Sequence, residues 1–80
     1  MTTFKRDFIF ESNIMTTISK NIKKYRKLAG ITQEQLAVDI EKSYDFVRRI
    51  EYKKGEVGCS IDTLYRISVV LGISIDKLFE

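Results

Sequence analysis

The sequence contains no histidine, no proline and a single cysteine. Without histidine, the usual Cys/His zinc site cannot be assembled, and the commonest general base of enzymes is missing. Cys59 has no partner for an intramolecular disulfide, which points to a reducing, cytoplasmic compartment. Without proline, punctuation must come from glycine, polar caps and changes of hydrophobic period. Long apolar runs are also missing: Phe4, Phe8, Ile9 and Phe10 are interrupted by Lys5, Arg6 and Asp7. That reads against a signal peptide and a membrane span. A phosphate-cradling glycine loop is absent too, so little remains to support catalysis, a metal or a cofactor.

What is present is a chain of 80 residues, room for one small domain with an economical core. Apolar residues make up 44%, enough for a folded core, so the composition is not that of a disordered chain. The net charge of +3 says little by itself; its distribution says more. Residues 18–54 carry ten basic and five acidic side chains, whereas residues 55–80 carry two basic and four acidic. One half is suited to an anionic partner and the other is not.

Along the chain, "ISKNIKKYRKL" (Ile18 to Leu28) places Ile18, Ile22, Tyr25 and Leu28 at helical spacing, and Gly30 ends that helix. "TQEQLAVDI" opens as a capping box, with the Thr32 hydroxyl and the Gln35 side chain both satisfying orphan amides; Leu36, Ala37 and Ile40 form its apolar face. Ser43 caps a third helix, "YDFVRRIEY", in which Val47 and Ile50 point inward. "KKGEVGC" is a loop. "SIDTLYRISVVLG" is a fourth helix, capped by Ser60, with a buried stripe of Ile61, Leu64, Ile67 and Val70 or Leu71. Gly72 stops it, and "SIDKLF" repeats the cap pattern as a short fifth helix anchored by Ile75 and Leu78.

Residues 1–17 stand outside this scheme, as an N-terminal arm. "FKRDFIFE" has strand-like composition with poor alternation. Two readings stay open: a frayed tail, or an arm that docks on the core or adds a strand across a dimer. "MTT" occurs at Met1 and again at Met15, leaving two candidate starts of translation.

Helices two and three are separated by a very short break, so they cross steeply and the second is presented on the surface. "ITQEQLA", "VRRIE" and "SIDTLYRISVVLGISIDKLF", in this order and spacing, resemble the XRE/Cro/CI-type helix-turn-helix family. Phage repressors and restriction–modification controllers belong to it. The resemblance covers about Ile18 to Phe79. It implies an all-α, five-helix, lambda-repressor-like DNA-binding domain over residues 18–80. A helix of about ten residues fits the major groove, arginine matches the guanine O6 and N7 edge, and lysines at the rim attract phosphate.

With Val47 and Ile50 inward, the free side of helix three carries Tyr44, Asp45, Arg48 and Arg49. By resemblance, Tyr44, Asp45 and Arg49 match base-contacting positions, with Arg48 beside them at a base or a phosphate. Gln33 matches a glutamine that binds phosphate and buttresses helix three. Ser43 and Phe46 match positions near the DNA backbone, and Lys53 and Lys54 a loop that approaches phosphate. The resemblance also makes Arg26 and Glu51 a partly buried ion pair that sets the projection of helix three. Lys20, Lys23, Lys24 and Lys27 read as mostly solvated, with one or two near DNA. Tyr25 and Tyr65 read as packing residues with exposed hydroxyls, and Cys59 as a small loop residue. Two departures matter. Glu41 stands where the family often has a turn glycine, so the turn is expected to take another shape. Lys53 replaces a glycine after the helix-three glutamate, so the end of that helix is expected to be extended.

The implied function is sequence-specific binding of double-stranded operator DNA to regulate transcription. A small module reads a short half-site, so a homodimer on a pseudo-palindrome is expected, with Ile73, Ile75, Phe79 and the N-terminal arm as dimer surfaces. Regulation would act by occluding RNA polymerase or by touching it. The rival reading is an antitoxin or another protein-interaction module on the same fold. No small-molecule ligand is expected.

Overall fold

A computed structural model of the chain describes residues 14–52 and 59–80. The residues of the arm before Ile14, and the loop with Lys53, Lys54, Gly55 and Gly58, lie outside the described residues. Among the described residues, four α-helices follow in order: α1 (Ile14–Leu28), α2 (Gln33–Asp39), α3 (Tyr44–Ile50) and α4 (Ile61–Leu71). A 3-10 turn, Ile75–Phe79, closes the chain. Among the described residues there is no strand.

Sequence chemistry explains the starts of these helices. Thr32, Ser43 and Ser60 each hold an extended backbone, and their hydroxyls accept the amide hydrogens of Gln35, Phe46 and Thr63. Such caps are worth about 1 kcal/mol each. The capping box of α2 is only half made. The Gln35 side chain runs forward to Asp39 Oδ1 at 2.9 Å rather than back to the cap.

Three helices also end alike. At the end of α1, the Gly30 amide donates to the Lys27 carbonyl and the Ile31 amide to the Arg26 carbonyl. At the end of α4, Gly72 donates to Val69 and Ile73 to Ser68. This paired pattern needs a left-handed residue, and glycine supplies it at φ 76° and 71°. Between α2 and α3 the same two bonds form, Glu41 to Val38 and Lys42 to Ala37, and Glu41 takes φ 61°. The turn therefore keeps the left-handed shape without glycine, contrary to the expectation of another shape. Arg66 of α4 pairs with the Glu41 carboxylate at 3.4 Å across the turn.

The fifth helix of the sequence reading is not an α-helix. "SIDTLY" and "SIDKLF" begin alike, but the Ser74 hydroxyl donates to the Asp76 carboxylate instead of capping an amide. That bond holds the Asp76 carboxyl below its ordinary range. A segment of five residues without a side-chain cap winds as a 3-10 turn. Helix α1 begins at Ile14, inside the segment read as an arm.

The core gathers Ile18 and Ile22 of α1, Leu36, Ala37 and Ile40 of the second helix and its end, Val47 and Ile50 of α3, Leu64, Ile67 and Leu71 of α4, and Leu78 of the final turn. The Asn21 side-chain amide donates to the Leu78 carbonyl at 2.9 Å and fastens that turn to α1. Two expected core residues are outside: Leu28 is 72% exposed and Ile61 69%. The buried row of α1 runs Ile18, Ile22, Arg26, so a charged residue occupies the place that the apolar pattern gave to Leu28. In α4, Thr63 and Ser68 join the buried side, and Ile61 falls into an exposed row with Tyr65 and Val69.

Replacing Glu41 by glycine removes a left-handed backbone penalty of about 1 kcal/mol and an exposed ion pair worth little. Part of the gain is offset by the added freedom of glycine in the unfolded chain. Urea unfolding of Glu41→Gly should show stability equal to the parent or up to about 1 kcal/mol higher. A loss of more than about 1 kcal/mol would mean that the Arg66 pair holds the turn.

Candidate nucleic-acid interface

Helix α3 is positioned from behind. Val47 and Ile50 are buried against the core, and Glu51, at the helix end, is 6% exposed. Arg26 of α1 meets it in a two-pronged ion pair: Nε donates to Oε2 at 2.6 Å and Nη2 to Oε1 at 3.0 Å. The third guanidinium nitrogen, Nη1, donates to the Ile31 carbonyl at 2.8 Å, in the link between α1 and α2. Gln33, the first residue of α2, donates its side-chain amide to Glu51 Oε1 at 3.0 Å. Three helices thus converge on a single carboxylate, and Arg26 ties the α1–α2 linker to the same cluster. Arginine suits this place because its planar fork delivers several fixed donors at once.

The opposite side of α3 is open. Tyr44 is 49% exposed. Asp45, Arg48 and Arg49 are exposed as well, and Asp45 sits between the two arginines. Arg48 Nη2 donates to Asp45 Oδ1 at 2.5 Å, and Arg49 Nη1 lies 3.7 Å from Oδ2. These pairs are bathed in water and each is worth no more than about 1 kcal/mol. The arginines are therefore held loosely and are free to swing to a better acceptor. Ser43 spends its hydroxyl oxygen on the Phe46 amide at 3.0 Å. Phe46 is half-buried, with Lys42 Nζ above its ring at 5.5 Å.

A groove of about 670 Å³ runs between α1 and the end of α3. One wall is Lys20, Lys23, Lys24 and Lys27; the other has Arg48 and Tyr52, with Gln33 and Glu51 between them. The sequence places one or two of these lysines near DNA and the rest in solvent; the groove gathers all four with Tyr52. Their i, i+3, i+4, i+7 spacing was the available signal; that Arg48 and Tyr52 share their groove is visible only in three dimensions.

Of the residues expected at a dimer surface, Ile73 and Ile75 pack half-buried against the core, and Phe79 is 39% exposed. The larger exposed apolar row lies on α4, at Ile61, Tyr65 and Val69. Cys59 is half-buried; burial pushes its thiol above the ordinary range, with the Lys42 charge pulling the other way. A thiol shifted upward is a poor nucleophile, as befits a plain loop residue.

This geometry is matched by family-level similarity. A model of the helix-turn-helix family, of the XRE/Cro/CI type, matches residues 22–78. The chain belongs to that family, whose domains bind DNA. No curated protein and no solved structure matches the chain. Among the described residues, no helix is long and apolar enough to cross a membrane.

Breaking one side of a buried ion pair strands the other charge, at a cost of about 3–5 kcal/mol. Glu51→Ala should therefore unfold at far lower urea than the parent. Arg26→Met combined with Glu51→Leu should recover most of that loss, because no lone charge is left behind. A Glu51→Ala protein melting at the parental temperature would remove the pair from the account.

Proposed function

We propose that the protein is a sequence-specific regulator of transcription that binds a pseudo-palindromic operator as a homodimer. Helix α3 lies in the major groove, with Tyr44, Asp45, Arg48 and Arg49 at base edges. Gln33, Ser43 and Phe46 approach phosphates, joined by Lys53 and Lys54 of the following loop. The protein works in the cytoplasm, without a cofactor or catalytic role, and alters polymerase access by occlusion or by contact.

The observation that carries this reading is the two-faced construction of α3. Its inner end is clamped by a buried ion pair, and its outer face offers two arginines that, among the described residues, pair with exposed Asp45. Fixed backbone with releasable fork-shaped donors is what bidentate reading of guanine requires. Asp45 fits the same purpose, since a carboxylate accepts from the cytosine amino group.

A second reading has one observation in its favour. The row Ile61, Tyr65, Val69 on α4 is apolar, exposed and at i, i+4, i+8 spacing. Such a row suits a protein contact, either the dimer mate or the toxin partner of an antitoxin. Among the described residues it lies on a different helix from the arginines, so the two readings are compatible.

Selection of bound duplexes from a random DNA pool tests the proposal. Enrichment of a two-fold symmetric site is the expected result. On that site, Arg49→Ala should lose about 1–3 kcal/mol of discrimination at one base pair per half-site. A uniform loss on all sequences would make Arg49 a phosphate contact, and enrichment of nothing would favour the protein-partner reading.

A further inference from the structure

Lys20, Lys23, Lys24 and Lys27 occupy one face of α1 at i, i+3, i+4 and i+7. Solvated helix faces ordinarily mix signs, because like charges at these spacings repel. Helix α1 has no aspartate or glutamate at all. Among the described residues, none of the four lysines is in an ion pair; the contact that Lys24 makes is with the Tyr25 ring at 5.1 Å. Among the described residues, the one carboxylate in their groove, Glu51, is already occupied by Arg26 and Gln33. Among the described residues, this face thus bears repulsion with no carboxylate to relieve it, and it opens onto the same groove as Arg48 and Tyr52.

We infer that the lysine face of α1 is a second DNA-contact strip, which tracks the phosphate backbone flanking the half-site that α3 reads. The inference rests on the DNA-binding role proposed above and extends it. The seven-residue span of the row is about 10 Å long at 1.5 Å per residue. Both strands of B-DNA together present one charge per about 1.7 Å of axis, so a strip of this length faces several phosphates. Gln33 at the start of α2 lies in the same groove and joins the strip to the recognition face. Tyr52, half exposed on the α3 wall, adds a phenolic donor of the kind that contacts phosphate. The strip carries affinity and not sequence, because phosphate contacts read no bases.

The test uses the full chain and the duplex selected by it. The probe is the variant K20Q/K23Q/K24Q/K27Q, with the pairs K20Q/K24Q and K23Q/K27Q as milder versions. Glutamine keeps helix propensity close to that of lysine, and relief of repulsion should leave the melting temperature equal or higher. Binding is measured across a salt series. Each lost phosphate contact lowers the log–log salt slope by about 0.9, so the fourfold variant should lose about 2–4 in slope per protomer. Each pair should lose about half of that. The sequence enriched from a random pool should be unchanged. Trimming the duplex flanks should weaken the parent and leave the fourfold variant almost unaffected. Parental slopes for folded variants would show the lysines to be merely solvated and overturn the strip. A changed base preference would overturn it as well, placing the lysines at base edges. Failure of the parent itself to bind any duplex would instead bring down the DNA-binding reading, and the strip with it.

Discussion

The meeting of Arg26 with Glu51 is the constraint on which the recognition surface depends. Burying two charges is costly, and the return is seldom a gain in net stability over an apolar pair. What the pair gives is position. Glu51 ends α3, Arg26 belongs to α1, and Gln33 from α2 closes on the same carboxylate. The helix carrying the arginines is thereby referred to both of its predecessors at one point. An apolar contact would tolerate sliding; three directional bonds on one carboxylate do not.

The two kinds of ion pair in this small domain divide the work. Arg26 is buried and bound on three of its nitrogens, so it holds backbone in place. Arg48 and Arg49 are exposed and share a single exposed aspartate, so they are available to a ligand. The turn between α2 and α3 belongs to neither kind and keeps its shape through backbone bonds. Glu41 adopts the left-handed conformation that glycine adopts at the ends of α1 and α4, and Arg66 reaches its carboxylate. A strained residue next to a recognition helix is tolerable because the bonds from Glu41 to Val38 and from Lys42 to Ala37 determine the turn on their own.

Much of this was legible in the sequence, and the failures are physical. Thr32, Ser43, Ser60, Gly30 and Gly72 mark helix ends by local chemistry, and local chemistry is what a sequence displays directly. The packing of α2 against α3 followed from the short break between them. Leu28 and Ile61 were assigned to the core because apolar periodicity counts side chains without knowing where the neighbouring helix ends. Arg26 occupies the buried row of α1 that the pattern would give to an aliphatic residue, and only family resemblance paired it with Glu51. The turn at Glu41 defied propensity because the local bonds to Val38 and Ala37 outweigh about 1 kcal/mol of backbone cost. The final SIDKLF segment shares its opening with that of α4, yet Ser74 chose the nearby Asp76 carboxylate over the backbone. The lysine groove needed two helices brought side by side, which no local pattern reveals.

The central claim is that the outer face of α3 is the surface that reads DNA. Backbone amide shifts of isotopically labelled protein, followed by NMR as a selected duplex is added, test it most directly. The largest changes are expected on Tyr44, Asp45, Arg48, Arg49 and Gln33, with smaller ones at buried Val47 and Ile50. Changes centred on Ile61, Tyr65 and Val69 with α3 undisturbed would contradict it, and would make α4 the working face of this protein.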